Sequence, residues 1–455
     1  MDKILIVLCF ILALAMIFLT YPEGAVSVLL VLFLAVPAIL IIRYYSEDKT
    51  FLTNVFLTAL LVRLGLGLII HFFHLRSMFG PDAGLYDAVG LRLTEIWQGL
   101  PVPDNAITFR ATEANDSGWG MYYVVGFIYF ICGQSILAAQ SFCAVVGALT
   151  APMIYFCAAK IFNNQRVAKI SALCVALFPS FIIWSSQLLK DGLIIFLLVF
   201  TMTMVLQLQK KFSYSAIVFM ILALFGIISL RFYIFYMVAI SVAGSFVLSL
   251  SPSVQSLVRN TVAIVIIGLA LTYLGVIRNA SSDFEQYGNL ERVQVTRRDL
   301  TESAESGFGR EVDVSTAGGA INAIPIGFAY LMFAPFPWEV NKLNQALILP
   351  EVFFWWALIP FMISGLVYTL KNRLRSAIPI LLFSLMLTIA YSIFQGNVGM
   401  AYRQRTQIQV FLFIFIAVGW TIIQERRENR KILRQAKQQK IVQRLQANKV
   451  NNVIS

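Results

Sequence analysis

Long apolar runs, interrupted at short intervals by small clusters of charge, set the pattern of this chain. A bilayer core about 30 Å thick takes roughly 20 apolar residues of helix. By that measure spans fall near 4–20, 25–42, 51–73, 120–133, 137–160, 168–187, 192–208, 213–230, 233–250, 260–277, 348–370, 377–394 and 407–423. A further apolar piece at 320–337 carries Pro325, Pro335 and Pro337, a pattern that fits a segment dipping into the membrane. The predicted fold is therefore all-α, a polytopic integral membrane helical bundle of about 12 to 14 transmembrane helices. The first run follows Met1, Asp2 and Lys3 without a small-residue cleavage site and leads directly into a second, so it reads as an anchor.

Composition narrows the class and charge orients it. With 59% hydrophobic and 13% charged residues, the chain is too apolar for a soluble domain or a disordered one. The net charge of +12 is concentrated near the C-terminus. Arg426, Arg427, Arg430, Lys431, Arg434, Lys437, Lys440, Arg444 and Lys449 stand there against Glu425 and Glu428. Basic loops stay inside, so the chain divides into a transmembrane body at 1–423 and a basic cytoplasmic tail at 424–455. That tail reads as a solvated or membrane-surface helix, not a nucleic-acid arm. Counting back puts Lys371–Arg375, Lys210–Lys211 and Lys160–Lys169 inside, and the polar loop of about 277–320 outside. The count conflicts at the front. If 120–133 and 137–160 both cross, the loop 74–119 would be cytoplasmic, yet its content suits the outer face. The segment 120–133 is short, so a re-entrant or juxtamembrane course stays open beside a full crossing.

Candidate chemistry is sparse. Cys9, Cys132, Cys143, Cys157 and Cys174 all sit in apolar stretches without metal-ligand spacing and read as small hydrophobes. His71 and His74 are the only histidines, which argues against a histidine-based metal site. The loop after the third span reads Phe79, Gly80, Pro81, Asp82, with Tyr86 and Asp87 following. Gly80 and Pro81 break the helix, and Asp82 then lies next to hydrocarbon, where a carboxylate is costly unless paired or used. Leu85, Val89, Leu93, Ile96 and Trp97 recur at helical spacing, predicting an amphipathic interfacial helix with Asp82 at its start. From spacing alone Asp82 is either an N-cap or a catalyst. Arg63 lies mid-span without an evident partner.

At these residues the chain resembles the polytopic GT-C glycosyltransferases, the group of the protein O-mannosyltransferases and lipid A aminoarabinose transferases. The resemblance rests on an order of pieces over roughly 50–210. Asp82 precedes Tyr86 in the first outer loop; Cys132, Gly133, Gln134 and Ser135 form a turn. Ala138–Ala159 is a helix closed by the bases of Lys160–Arg166, and Phe178, Pro179 and Ser180 lead to Ser185–Asp191. Two helices precede the loop's own helix where better-known members have none, and a single Asp82 stands where they carry an adjacent acidic pair.

The resemblance implies an inverting transfer of sugar from a polyprenyl-phosphate donor to a glycan, lipid or protein acceptor on the extracytoplasmic face of a bacterial inner membrane. It implies Asp82 as base, and a mobile outer loop closing over substrate. Cations for the phosphate are Arg231, Arg403, Arg405 and Lys190, the arginines ranking first because a planar fork matches phosphate, with Tyr86 beside them. Gly396, Asn397 and Gly399 before Arg403 could add backbone N–H groups to that anion site. No cofactor is called for, and a divalent metal is left open. Two rivals carry different expectations. An O-antigen or exopolysaccharide polymerase or ligase would place its essential residues in 277–320 and around Arg403, leaving Asp82 dispensable. A lipid-linked sugar flippase or transporter would show repeats and mid-span charges; only Arg63 favours it.

Overall fold

The computed structural model describes the chain apart from residues 1, 77–79, 81, 114–117, 249–260, 263–264, 270–271, 273–288, 303–305, 341–342 and 455. Phe79 and Pro81, most of the span expected at 260–277, and Arg278, Asp283, Glu285 and Glu305 of the second loop lie outside the described residues.

Among the described residues the regular structure is helical, save one isolated bridge between Gly307 and Asn397. It opens with α1 (Asp2–Leu19), α2 (Glu23–Tyr45), α3 (Lys49–Phe72), α4 (Asp82–Trp97), α5 (Ala106–Thr112) and α6 (Trp119–Cys132). The middle comprises α7 (Ile136–Phe162), α8 (Gln165–Leu177), α9 (Pro179–Ser185), α10 (Asp191–Lys210), α11 (Tyr214–Leu230) and α12 (Phe232–Leu248). The last part holds α13 (Leu290–Glu302), α14 (Ala317–Phe333), α15 (Leu343–Asn372), α16 (Leu374–Phe394) and α17 (Val398–Ile454). Among the described residues seven helices are long and apolar enough to cross a membrane, or eight if α8 and α9 form one span bent by 54°. Shorter apolar helices, α6 and α11 among them, pack beside these. The chain is an all-α polytopic membrane bundle.

The bundle has two chemically distinct ends. At one, Asp48 before α3 accepts from Tyr155 Oη at 2.8 Å and pairs with Lys169 at 3.2 Å. Lys160 reaches Gln207 Oε1 at the same end. The opposite end collects the starts of α4, α7, α10 and α17. There the carboxylate of Glu23, first in α2, lies 3.4 Å from Ser135 Oγ and from Leu137 N. Those groups form the positive terminus of α7, which favours an anion. The two additional N-terminal helices thus contribute to the bundle itself.

α6 settles the crossing count at the front. Gly118, just before it, lies by Lys190 and the carbonyl of Leu230, at the starts and ends of α10 and α11. Its C-terminus runs into Ser135, the N-cap of α7, whose far end is at Lys160. Both ends of α6 therefore sit at one end of the bundle, and the span expected at 120–133 does not cross. It pairs with α4 instead. Tyr129 Oη donates to Asp87 at 2.6 Å, and Thr94 Oγ1 donates to the carbonyl of Gly126 at 3.0 Å. Gly90 makes the close approach possible, since a Cβ there would meet the Val125 side chain. Helix α4 begins at Asp82 and, of the apolar positions expected on one face, buries Val89 and Leu93, half-buries Leu85 and Ile96 and leaves Trp97 exposed, while Tyr86 is buried instead.

Arg63 has a structural partner set. It is 1% exposed, in α3. Its Nε donates to Ser185 Oγ at 2.8 Å, Nη1 to the carbonyls of Ala59 and Ala176, and Nη2 to that of Val175 at 3.2 Å. Pro179 has no N–H to give Val175, so the break between α8 and α9 leaves carbonyls open within the membrane. Arg63 fills them. At the other extreme of the chain, α17 continues past the membrane as one helix, and residues 425–441 of it are exposed.

Candidate functional site

Four charged side chains from widely separated segments meet at one end of the bundle. Asp191 is the first residue of α10 and is fully buried. Arg231 stands between α11 and α12, in an extended conformation that breaks the two helices apart and turns its side chain inward. Arg403 lies in the second turn of α17, and Asp82 opens α4. Arg403 Nε donates to Asp191 Oδ2 at 2.7 Å, while its Nη1 reaches Asp82 Oδ2 at 3.0 Å. Arg231 Nη2 donates to Asp191 Oδ1 at 3.1 Å and its Nη1 to Tyr233 Oη at 3.1 Å. Arg403 also lies over the Trp184 ring, 5.6 Å from its centre.

The burial of these groups decides what they can do. Asp191 is 0% exposed and Arg231 8%, so they form the floor; Arg403 at 15% bridges to Asp82, which is 45% exposed. One carboxylate is thus locked between two guanidinium groups, and the other is open on one side. Lys190, next to Asp191, adds a fifth charge. Burial, reinforced by the nearby Arg231, pushes its ammonium pKa down to about 8. The Nζ lies where a side chain on Gly118 would fall, and Gly118 has φ +100°, so glycine suits that position twice over. Tyr86 is buried 5.9 Å from the Tyr122 ring. Burial and the carboxylates of Asp82 and Asp191 raise its phenol well above the ordinary value, so it stays a protonated donor. Three bases against two carboxylates leave a net positive, partly desolvated basin with one accessible carboxylate. Such a basin can hold an anion and accept a proton beside it.

The structure brings together Asp82, Tyr86, Lys190, Arg231 and Arg403 of the residues singled out from sequence. Arg405 it does not. The stretch expected to add backbone N–H groups to an anion site is helical from Val398 on, and residues two apart on a helix face nearly opposite ways. Arg405 points into the bundle, where Nη1 donates to the carbonyls of Met332 and Ala334 at 3.1 Å and the guanidinium lies 5.8 Å from the Trp355 ring centre. It closes the end of α14 just before Pro335, much as Arg63 closes α8. Nor do Gly399 and Met400 offer their N–H groups outward, since Asn397 Oδ1 caps both, at 2.8 and 3.4 Å.

Asp191 was the residue that sequence reasoning did not single out. A carboxylate at the edge of an apolar helix is itself a signal, but Lys190 beside it offered a local partner and hid the distant ones. A second buried cluster adjoins it: Glu351 of α15 accepts from Tyr402 Oη at 2.8 Å and from Ser180 Oγ. This fixes α17 against α9 one residue before Arg403. Among the described residues, no group of three or more His, Cys, Asp and Glu side chains gathers at metal-binding spacing.

Residues 122–273, about a third of the chain, match the family model of dolichyl-phosphate-mannose-protein mannosyltransferase. This stretch overlaps the one that carries the GT-C resemblance, and includes Lys190, Asp191 and Arg231. The crystal structure of ArnT from Cupriavidus metallidurans bound to undecaprenyl phosphate aligns with a TM-score of 0.46 at 14% identity. That alignment covers 78% of this chain and 59% of the other, so the chain spans less than two thirds of the length of that protein. No curated protein matches.

Proposed function

We propose that this protein is a membrane glycosyltransferase that moves a sugar from a polyprenyl-phosphate donor to a hydroxyl of a glycan, lipid or protein acceptor. The single observation that carries this reading is the convergence of Arg231 and Arg403 on Asp191, with Asp82 on the open side of Arg403. The family match over 122–273 supports it, since the members named by that model use a dolichyl-phosphate sugar. The acceptor hydroxyl attacks the anomeric carbon, and the bond from that carbon to the phosphate oxygen breaks. The lipid phosphate departs with the electron pair, and Asp82 takes the hydroxyl proton. Attack opposite the leaving group inverts the centre. Arg403, Arg231 and Lys190 meet the phosphate as its charge grows, which is where fixed cations contribute most. The positive-inside bias of the basic tail supports the reading that this end of the bundle faces the extracytoplasmic side, which we take to be that of a bacterial inner membrane.

The test is sugar transfer by purified protein in lipid, from polyprenyl-phosphate sugars. Asp82→Asn keeps size and removes the base, so turnover should fall on the order of 10² while donor binding persists. If Asp82→Asn turns over like the wild type, Asp82 is only the first residue of α4 and the polymerase reading takes its place. A pH profile separates the cations. Lys190 loses its charge as pH rises through about 8, whereas arginine keeps its own. Donor KM should therefore rise between pH 7 and 9 in the wild type and stay level in Lys190→Arg. Parallel profiles for the two proteins would remove Lys190 from the phosphate site.

A further inference from the structure

We infer that the cavity between α13 and the turn at Gly309–Val312 is a second anion-binding site, and that the anion is a phosphate group. The cavity has a volume of about 210 Å³ and is lined by Arg297, Arg298, Arg310, Gln294 and Thr301, with Glu302 as its acidic member. A water takes roughly 30 Å³, so a phosphate fits with room to spare.

Arg297 carries the inference. It is 2% exposed, and its Nη1 donates to the Ile393 carbonyl at 2.7 Å, but Nε and Nη2 are buried without partners among the described residues. Leaving two such groups unmet is costly, the more so in a charged side chain. Native structures tolerate that where a ligand completes the set. Arg297 lines the cavity, with these two nitrogens just beneath its wall. Gly309 packs directly over Nη2, since a Cβ there would come 2.8 Å from it, and with φ +64° the position favours glycine. The guanidinium is held from behind by the Phe308 ring, 5.7 Å from its centre, which is itself stacked on Tyr330 at 4.1 Å. Its orientation is therefore fixed before any ligand arrives.

Charge selects the ligand. Arg298 is partly answered by Glu302 at 2.7 Å, but Arg297 and Arg310 have no carboxylate among the lining residues. Three bases against one acid complement a dianion, and a guanidinium edge matches phosphate oxygens in pairs. The site is tied to the catalytic candidate through the backbone. Phe308 N donates to the Gly396 carbonyl at 2.8 Å, and Val398 N, at the start of the helix bearing Arg403, donates to the Ser306 carbonyl at 3.0 Å. A phosphate here would brace that helix from outside. The inference concerns binding alone and does not depend on glycosyl transfer.

Hydrogen exchange on the full chain in lipid nanodiscs tests it, with inorganic phosphate and farnesyl phosphate as probes. Backbone amides of 290–302 and 306–314 should gain protection. Protection by both probes identifies a soluble phosphate as sufficient; protection by farnesyl phosphate alone identifies a lipid-borne one. Arg297→Gln should weaken the half-saturating concentration about tenfold. Because that residue also braces Ile393, Arg310→Gln, on the exposed rim, is the companion, with about a threefold loss. Protection from neither probe, or protection unchanged in both variants, overturns the site.

Discussion

Asp191→Asn should lower the turnover of sugar transfer by about 10³ while the donor phosphate binds no more weakly than before. The carboxylate is fully buried and receives both Arg231 and Arg403. It contributes no proton chemistry of its own, because it is already occupied on both oxygens. What it supplies is position. Two guanidinium groups, 8% and 15% exposed, repel one another and need a shared anion to lie side by side. Replacing the carboxylate by an amide leaves more net positive charge in the basin, so the monoanionic phosphodiester of the donor should bind at least as tightly, and the lipid phosphate product more tightly still. The donor phosphate's placement against the leaving oxygen is nevertheless lost, and misplaced donors of this kind cost 10²–10³ in rate. The expected signature is a collapse of kcat with KM unchanged or lower, and slower release of lipid phosphate. Folding must be checked by monodispersity, and Asp191→Glu, which restores the charge at a slightly longer reach, should recover part of the rate. A variant in which only KM rises would show that Asp191 merely shields the cations and does not orient them.

This contrast with Asp82 is the useful part. Asp82 is half open and meets a single guanidinium nitrogen, so its loss should spare donor binding and remove the proton acceptor. Asp191 is closed, and its loss should spare binding but remove alignment. Two carboxylates on one arginine thus divide into separate roles by exposure alone, and kinetics on the two Asn variants can tell those roles apart.

The legibility of such a site in sequence follows from where helices end. Asp82, Lys190, Arg231 and Arg403 all lie at or near breaks between apolar runs, and runs are what hydropathy reports. That is why these four charges could be placed at helix ends from the sequence. Pairings across the bundle could not. Asp191 meets partners 40 and 212 residues away, and no local pattern encodes such a distance. Arg405 failed for the opposite reason, since its neighbours were correctly polar but its face on the helix depended on where α17 begins. The conflict over 120–133 had a similar source. Apolar length measures whether a helix can cross; α6 packs one face on α4 and α11 and leaves Phe127, Phe130 and Ile131 exposed on another, and its glycine ends return it to the same surface. Interfacial packing and membrane crossing leave nearly the same signature over 14 residues.

Arg63→Met should destabilise the folded protein by about 3 kcal/mol, seen as a lower denaturation midpoint in mixed micelles and a smaller monodisperse fraction. Methionine keeps much of the apolar stem and loses the donors. The carbonyls of Val175 and Ala176, and Ser185 Oγ, would then sit unpaired in the bundle interior, each at a cost of about 1–3 kcal/mol. Against that stands relief from burying a cation that has no carboxylate partner among the described residues, which offsets part of the loss. The carbonyls should win because Pro179 has no N–H and water is absent at that depth. Arg63→Lys should fall between, since an ammonium reaches one or two of these acceptors but cannot span both helices as a planar fork does. A methionine variant as stable as the wild type would mean that the bend at Pro179 is held by packing alone. Arg63 would then be free for the transport role that a mid-span cation suggests, and substrate flux, not stability, would become the measurement that matters.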